Sequence, residues 1–244
     1  MGSNVPPMTP RRVPIGRSLG HGPLGTGEAT QHRHMFRVVI DRALLEDVLH
    51  ALGGMRLGVM GGTFDPIHHG HLVAASEVQA LYDLDEVVFV PTGRPWMKEH
   101  DVVATAEDRY AMTAIGIEPE PRFHVSRLEV DRGGATYTVD TLRALRDEVA
   151  GAELFFITGA DAMLEIMRWK EPETVFDLAH FIAATRPGYD VAAFDAMPDV
   201  TVMQIPALAI SSTDIRERVH EGRPIRFLVP EGVEAHIRAQ GLYR

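Results

Sequence analysis

With 244 residues, 45% of them hydrophobic and 24% charged, the chain is long enough to bury a substantial core and has an ordinary globular mix. Its formal net charge of -10 argues against nucleic acid as a partner, and the absence of cysteine excludes disulfides, thiolate metal sites and cysteine nucleophiles. No apolar run approaches the roughly 18 to 20 residues of a membrane helix, and the N-terminus lacks a signal-peptide core, so no membrane partner and a cytoplasmic location are expected.

Residues 1–34 are rich in Pro, Gly and Arg with little to bury, which predicts a disordered extension. In 35–54, Val39, Leu44, Leu45, Val48, Leu49 and Leu52 have helical spacing and Gly53 is a natural stop, so a short helical segment is expected. The compact pattern begins at Met55. RLGVMGG predicts a buried strand running into glycines, and HLVAASEVQALYDL a helix with apolar residues at 72, 73, 78, 81 and 84. EVVFVP predicts a second strand. TAEDRYAMTAIGIE predicts a helix with Thr105 and Asp108 at capping-box spacing. RFHVSRLEV alternates like a strand, TVDTLRALRDEV is helical, and ELFFITGA is another buried strand. ETVFDLAHF predicts a helix, then FIAATRP and VTVMQIP two strands. SSTDIRERVHEG, with Ser211 and Asp214 at capping-box spacing and Gly222 as stop, predicts a helix, and PEGVEAHIRAQGL a last one.

Buried β-branched runs alternating with helices imply an α/β fold: a Rossmann-like, doubly wound, mainly parallel sheet with helices on both faces, as one domain over 55–244. Ligands of such sheets sit beyond the carboxyl ends of the strands. Three conspicuous stretches fall there: GGTFDPIHHGH, TGAD and ALAISSTDIR.

The first crowds His68, His69 and His71 behind Gly61 and Gly62. Only Lys98 and Lys170 are lysines and neither follows a glycine, so no G-x-x-x-x-G-K-[ST] loop exists; GVMGGTF is not G-x-G-x-x-G either. The two glycines still permit a tight turn and close approach of N–H groups to an anion, ahead of a helix start that favours negative charge. His68 and His71, three apart, can share one face, with Gly70 leaving room for a bulky ligand. Such donors would stabilise charge on a phosphate undergoing attack. Two rivals stay open: a zinc site, though H-E-x-x-H spacing is missing, and plain helix-start histidines.

GGTFDPIHHGHL, with H-x-G-H at 68–71, resembles the N-terminal motif of the HxGH nucleotidyltransferase superfamily, and ISSTDIR (210–216) resembles its C-terminal I-S-S-T-x-I-R motif. TYTVDTL, TGADAMLEIMRW and ATRPGY resemble the bacterial nicotinate-nucleotide adenylyltransferases, over about residues 55–244. The resemblance implies adenylyl transfer from ATP to nicotinate mononucleotide with release of pyrophosphate, in NAD biosynthesis. Nicotinamide mononucleotide or dual specificity is the alternative acceptor; a nucleotide-binding regulatory module is the non-enzyme alternative. It implies that His68, His71 and Arg216 are catalytic. Gly61, Gly62, Thr63, Phe64, His68, His71, Ser211, Ser212, Thr213 and Arg216 would bind ATP, and His69 has no assigned role. Thr138, Asp161, Trp169, Lys98 and Arg186 would bind the acceptor, Trp169 by stacking on the pyridine, Thr138 and the backbone near Trp169 through N–H groups to its carboxylate. Mg²⁺ should accompany ATP, with no protein metal ligand named. The sequence leaves a homo-oligomer open.

Overall fold

The computed structural model describes residues 54–95, 102–186, 190–197, 199–206 and 209–244. The chain divides into Met1–Ile40 and Asp41–Arg244, and every described residue belongs to the second unit. The expected extension, nearly all of the helical segment 35–54, Trp96 and Lys98 lie outside the described residues.

Six parallel strands form the main sheet: β1 (Arg56–Gly62), β2 (Glu86–Pro91), β4 (Phe123–Val125), β6 (Glu153–Gly159), β7 (His180–Thr185) and β8 (Val200–Gln204). Their order is β4-β2-β1-β6-β7-β8. A two-stranded pair, β3 (Arg94–Pro95) and β5 (Ala135–Thr136), stands apart. The helices are α1 (His69–Leu81), α2 (Ala106–Ile117), α3 (Leu128–Arg132), α4 (Thr138–Glu148), α5 (Ala160–Met163), α6 (Pro172–Leu178), α7 (Ser212–His220) and α8 (Glu231–Gln240).

The strands are apolar almost continuously because both sheet faces are covered, yet their side chains still alternate. Met60, Phe89, Phe155, Ile157 and Ile182 pack with Ala75 of α1, Met112 of α2, Ile215 of α7 and Val233 of α8. Leu57, Val59, Val88, Phe156 and Phe181 pack on the other face with Leu142 of α4, Met163 of α5 and Val175 of α6. This is the doubly wound arrangement expected from the pattern. The winding reverses between β1 and β6, and a cleft opens beyond their carboxyl ends.

Two local expectations fail. RFHVSRLEV is a strand only to Val125; α3 follows. The Ser126 hydroxyl accepts from the Leu128 N–H at 3.1 Å and turns the chain, while Arg127 bonds Asp131 one helical turn on and Glu107 across to α2. Leu81, which fits the core spacing of α1, is 64% exposed because it is the helix's last residue; Leu84, beyond the turn, fills the core at 2%.

Candidate active site

The cleft at the switch point holds a cavity of about 760 Å³. Gly61, Gly62, Thr63, Phe64, His68 and His71 line it from the β1–α1 side, and Ser211, Ser212, Thr213 and Arg216 from the start of α7. Asp161 and Arg186, expected at the acceptor, line this cavity too. A second cavity of about 300 Å³ adjoins it and is lined by Thr138, Asp161 and Trp169. Gly61, Gly62, Thr63, Thr158 and Asp161 border both, so the cavities meet over the ends of β1 and β6.

Gly61 and Gly62 do not make the turn. They end β1, and the left-handed residue is Phe64, at φ 51°. Their missing side chains serve closeness instead: a Cβ on Gly61 would stand 3.0 Å from the Phe156 ring, and one on Gly62 2.8 Å from the Phe64 ring. Gly70 borders the same cavity, and its missing side chain also serves closeness, since a Cβ there would meet the His68 ring at 3.0 Å.

His68 caps α1 with extended backbone, and its carbonyl accepts from His71 at 2.9 Å and Leu72 at 3.3 Å. The His68 N–H reaches the His71 Nδ1 at 3.3 Å. An accepting Nδ1 places the proton of a neutral His71 ring on Nε2, which becomes its donor. The rings stack at 3.7 Å with 20° between planes, and the Phe64 ring meets His71 edge-on at 5.1 Å. Burial, then the neighbouring His69, pushes His68 down from 6.5 to about 4. Burial, then His68, pushes His71 well below its ordinary value. Both imidazoles are therefore neutral at pH 7 and donate without adding charge. His68 Nδ1 is buried and has no hydrogen-bond partner among the described residues.

These depressed values set an acid sensitivity. Between pH 6.5 and about 4 the unfolded chain binds a proton at His68 that the folded one refuses, so stability falls as pH drops through that window, by at most about 1.4 kcal/mol per pH unit. Thermal unfolding at pH 7.5 and pH 5 should show a loss that His68→Gln reduces. Equal losses in the two proteins would place the acid sensitivity elsewhere.

The second motif is tied to the first through Asp65, which sequence reasoning missed. The Arg216 guanidinium donates to the Asp65 carbonyl at 2.8 Å and to the Thr213 hydroxyl at 3.4 Å. The buried Asp65 carboxylate accepts from Val103 and Ala104 N–H groups at 2.8 and 3.2 Å and from the Tyr243 hydroxyl at 2.7 Å. Arg109, 1% exposed, donates to the Thr63, Gly93 and Ala104 carbonyls. Asp65 lay inside a quoted motif, but nothing local in sequence marked Arg109 or Tyr243. Of the two serines, Ser211 makes the expected cap and Ser212 differs from its expected phosphate contact. Ser211 caps α7 by accepting from Asp214 at 3.1 Å, and Ser212 donates its single hydrogen to the Pro66 carbonyl at 2.9 Å. What α7 offers an anion here is the N–H groups of its first two residues, Ser212 and Thr213.

In the second cavity, Trp169 is half-buried and sets its ring edge-on to Phe156 at 5.9 Å and 79°. Thr138 is the first residue of α4, where the Asp140 N–H bonds the Tyr137 carbonyl at 3.1 Å and the Thr138 and Val139 N–H groups have no partner within the helix. The Trp169 backbone N–H is engaged by the Ile166 carbonyl at 2.9 Å. Sequence reasoning also missed Glu129, 7% exposed in this cavity, where burial pushes its carboxyl upward despite a 2.6 Å hydrogen bond from the Thr141 hydroxyl.

Residues 59–218 match the cytidylyltransferase-like family. The chain is 57% identical over 191 residues to a protein of Saccharopolyspora erythraea named probable nicotinate-nucleotide adenylyltransferase, covering 78% of this chain and 90% of the relative. A protein of the same name from Leifsonia xyli is 59% identical over 191 residues, covering 78% and 94%. Among solved structures, the Plasmodium falciparum nicotinic acid mononucleotide adenylyltransferase complexed with NaAD has the same fold, with a TM-score of 0.67 at 22% identity, covering 78% of this chain and 97% of that one.

Proposed function

The chain belongs to the nicotinate-nucleotide adenylyltransferase family and is a nucleotidyltransferase, and from that premise we propose that it joins the adenylyl group of ATP to nicotinate mononucleotide, giving nicotinate adenine dinucleotide and pyrophosphate. The observation that carries the reading is the junction of the two cavities at Gly61, Gly62, Thr63, Thr158 and Asp161. One cavity has paired neutral imidazoles, Arg216 and a helix start for a polyphosphate. The other has an aromatic ring and the start of α4 for a flat acidic base. The proposed catalytic domain spans 55–244.

The proposed step is an in-line displacement. An acceptor 5′-phosphate oxygen forms a bond to the α-phosphorus as the bond to the bridging oxygen breaks, and pyrophosphate leaves with that electron pair. The phosphate nucleophile is already ionised, so no general base and no covalent enzyme intermediate is required. Catalysis then comes from positioning and charge stabilisation. The His71 Nε2–H and the Arg216 guanidinium are the donors to the phosphates, and Asp161 takes the ribose hydroxyls. Ser212 acts through Pro66 in holding the two motifs together. Among the described residues no group of three metal-ligating side chains is present, and the donor set fits an ion carried on the nucleotide's own phosphates. Mg²⁺ bound in that way would offset polyphosphate charge.

Nicotinamide mononucleotide is the alternative acceptor. Pyrophosphate release from ATP and Mg²⁺ should be followed with nicotinate mononucleotide, nicotinamide mononucleotide and phosphopantetheine. A strong preference for nicotinate mononucleotide is expected. Equal use of both mononucleotides would remove the selectivity, and release with none of the three would overturn the reading.

A further inference from the structure

Glu129 has no part in the reaction just described, yet it sits where several segments forming the acceptor cavity converge. It lies in the short α3, is 7% exposed, and borders the cavity with Thr92, Thr136, Thr138, Thr141 and Trp169. The Thr141 hydroxyl is 2.6 Å from Glu129 Oε1 and 3.3 Å from the Tyr137 carbonyl. A hydroxyl has one hydrogen, and the shorter contact to a carboxylate takes it. Thr141 is in the first turn of α4, three residues after Thr138. Around Glu129, the Thr136 hydroxyl on β5 donates to the Arg94 carbonyl at 3.2 Å, and its methyl group packs beside Gly93, just beyond β2. Gly93 passes so close to α3 that a Cβ on it would stand 2.2 Å from the Glu129 carbonyl oxygen, so only glycine allows this approach.

We propose that Glu129 is a positioning residue for the acceptor: through Thr141 it ties α3, against which Gly93 packs, to the start of α4, and thereby places Thr138 opposite Trp169. A buried carboxyl needs its partners, since an unsatisfied buried polar group is costly. It therefore holds these segments in one arrangement that a neutral or shorter side chain does not enforce. Glutamine keeps the shape but replaces the charged acceptor of the Thr141 hydroxyl with a weaker neutral one. Thr141→Val removes the hydrogen bond and leaves the carboxyl in place. The inference rests on the reading of this cavity as the acceptor's.

The full-length protein, Glu129→Gln, Thr141→Val and the double variant are compared by direct titration with nicotinate mononucleotide and with ATP, by calorimetry, alongside steady-state KM values for each. Each single variant is expected to weaken nicotinate mononucleotide binding about tenfold with ATP binding near wild type, and the double variant to lose no more than either single. Unchanged acceptor binding, equal losses for both ligands, or additive losses in the double variant would overturn the proposal. A wild-type protein that binds no nicotinate mononucleotide would overturn the reading beneath it as well; a wild type that binds it no better than Glu129→Gln overturns the positioning role alone. Circular dichroism checks folding, and if Glu129→Gln does not fold, the acceptor-to-ATP comparison on Thr141→Val decides.

Discussion

Replacing His71 with alanine is expected to lower kcat by about 10² to 10³-fold, the usual cost of one preorganised donor to a developing charge, while the protein stays folded. His71 is suited to this role by its local chemistry. Its Nδ1 is committed to the His68 N–H, so Nε2 carries the proton, and burial keeps the ring neutral. A direct displacement offers few other ways to lower the barrier, because no covalent intermediate shares the work. The fold should tolerate the change: the side chain contributes a stack on His68, an edge contact with Phe64 and one hydrogen bond from the His68 N–H at 3.3 Å, while the first bonds of α1 run to the His68 carbonyl. Steady-state kcat and circular dichroism, measured on the same preparation, check it. Near-normal turnover would remove His71 from the catalytic machinery.

Replacing Trp169 with alanine is expected to weaken nicotinate mononucleotide binding by about 10- to 100-fold, the range of aromatic–base stacking, and to leave ATP binding within about twofold. Trp169 lines the acceptor cavity and not the larger one, so the loss should fall on one substrate. Its packing on Phe156 gives the contrary outcome a mechanism. Phe156 belongs to β6, and its ring lies against Gly61, at the boundary of both cavities. If Trp169 serves mainly to hold Phe156, both substrates suffer alike. Titration of the variant with each ligand separates these cases, and Trp169→Phe should recover most of the acceptor affinity only if stacking is the role.

Short-range physics made much of this protein legible in its sequence. Runs such as EVVFVP and ELFFITG are strands buried on both faces, and no other element type suits so short and so apolar a stretch. Thr105 and Ser211 cap their helices through the N–H three residues on, as their spacing predicts, because a cap needs only four neighbouring residues. The two motifs at 61–72 and 210–216 indicated the chemistry, since each is contiguous along the chain.

Interactions between segments far apart in the chain were decided only by the tertiary structure. Gly70 borders the cavity as expected, but it also makes room for a neighbouring ring whose rotamer no local rule sets. Ser212 was expected to face a phosphate, but its hydrogen goes to the Pro66 carbonyl, 146 residues away in the chain. Asp65, Arg109, Tyr243 and Glu129 carried no periodicity that marked them, because a buried polar group is defined by the partners that satisfy it, and those partners arrive from other strands and helices. Composition, periodicity and contiguous motifs determine the sheet, its helices and the ends of strands where ligands gather. Which atoms are left there to meet a ligand depends on how distant backbone and side-chain groups satisfy one another first.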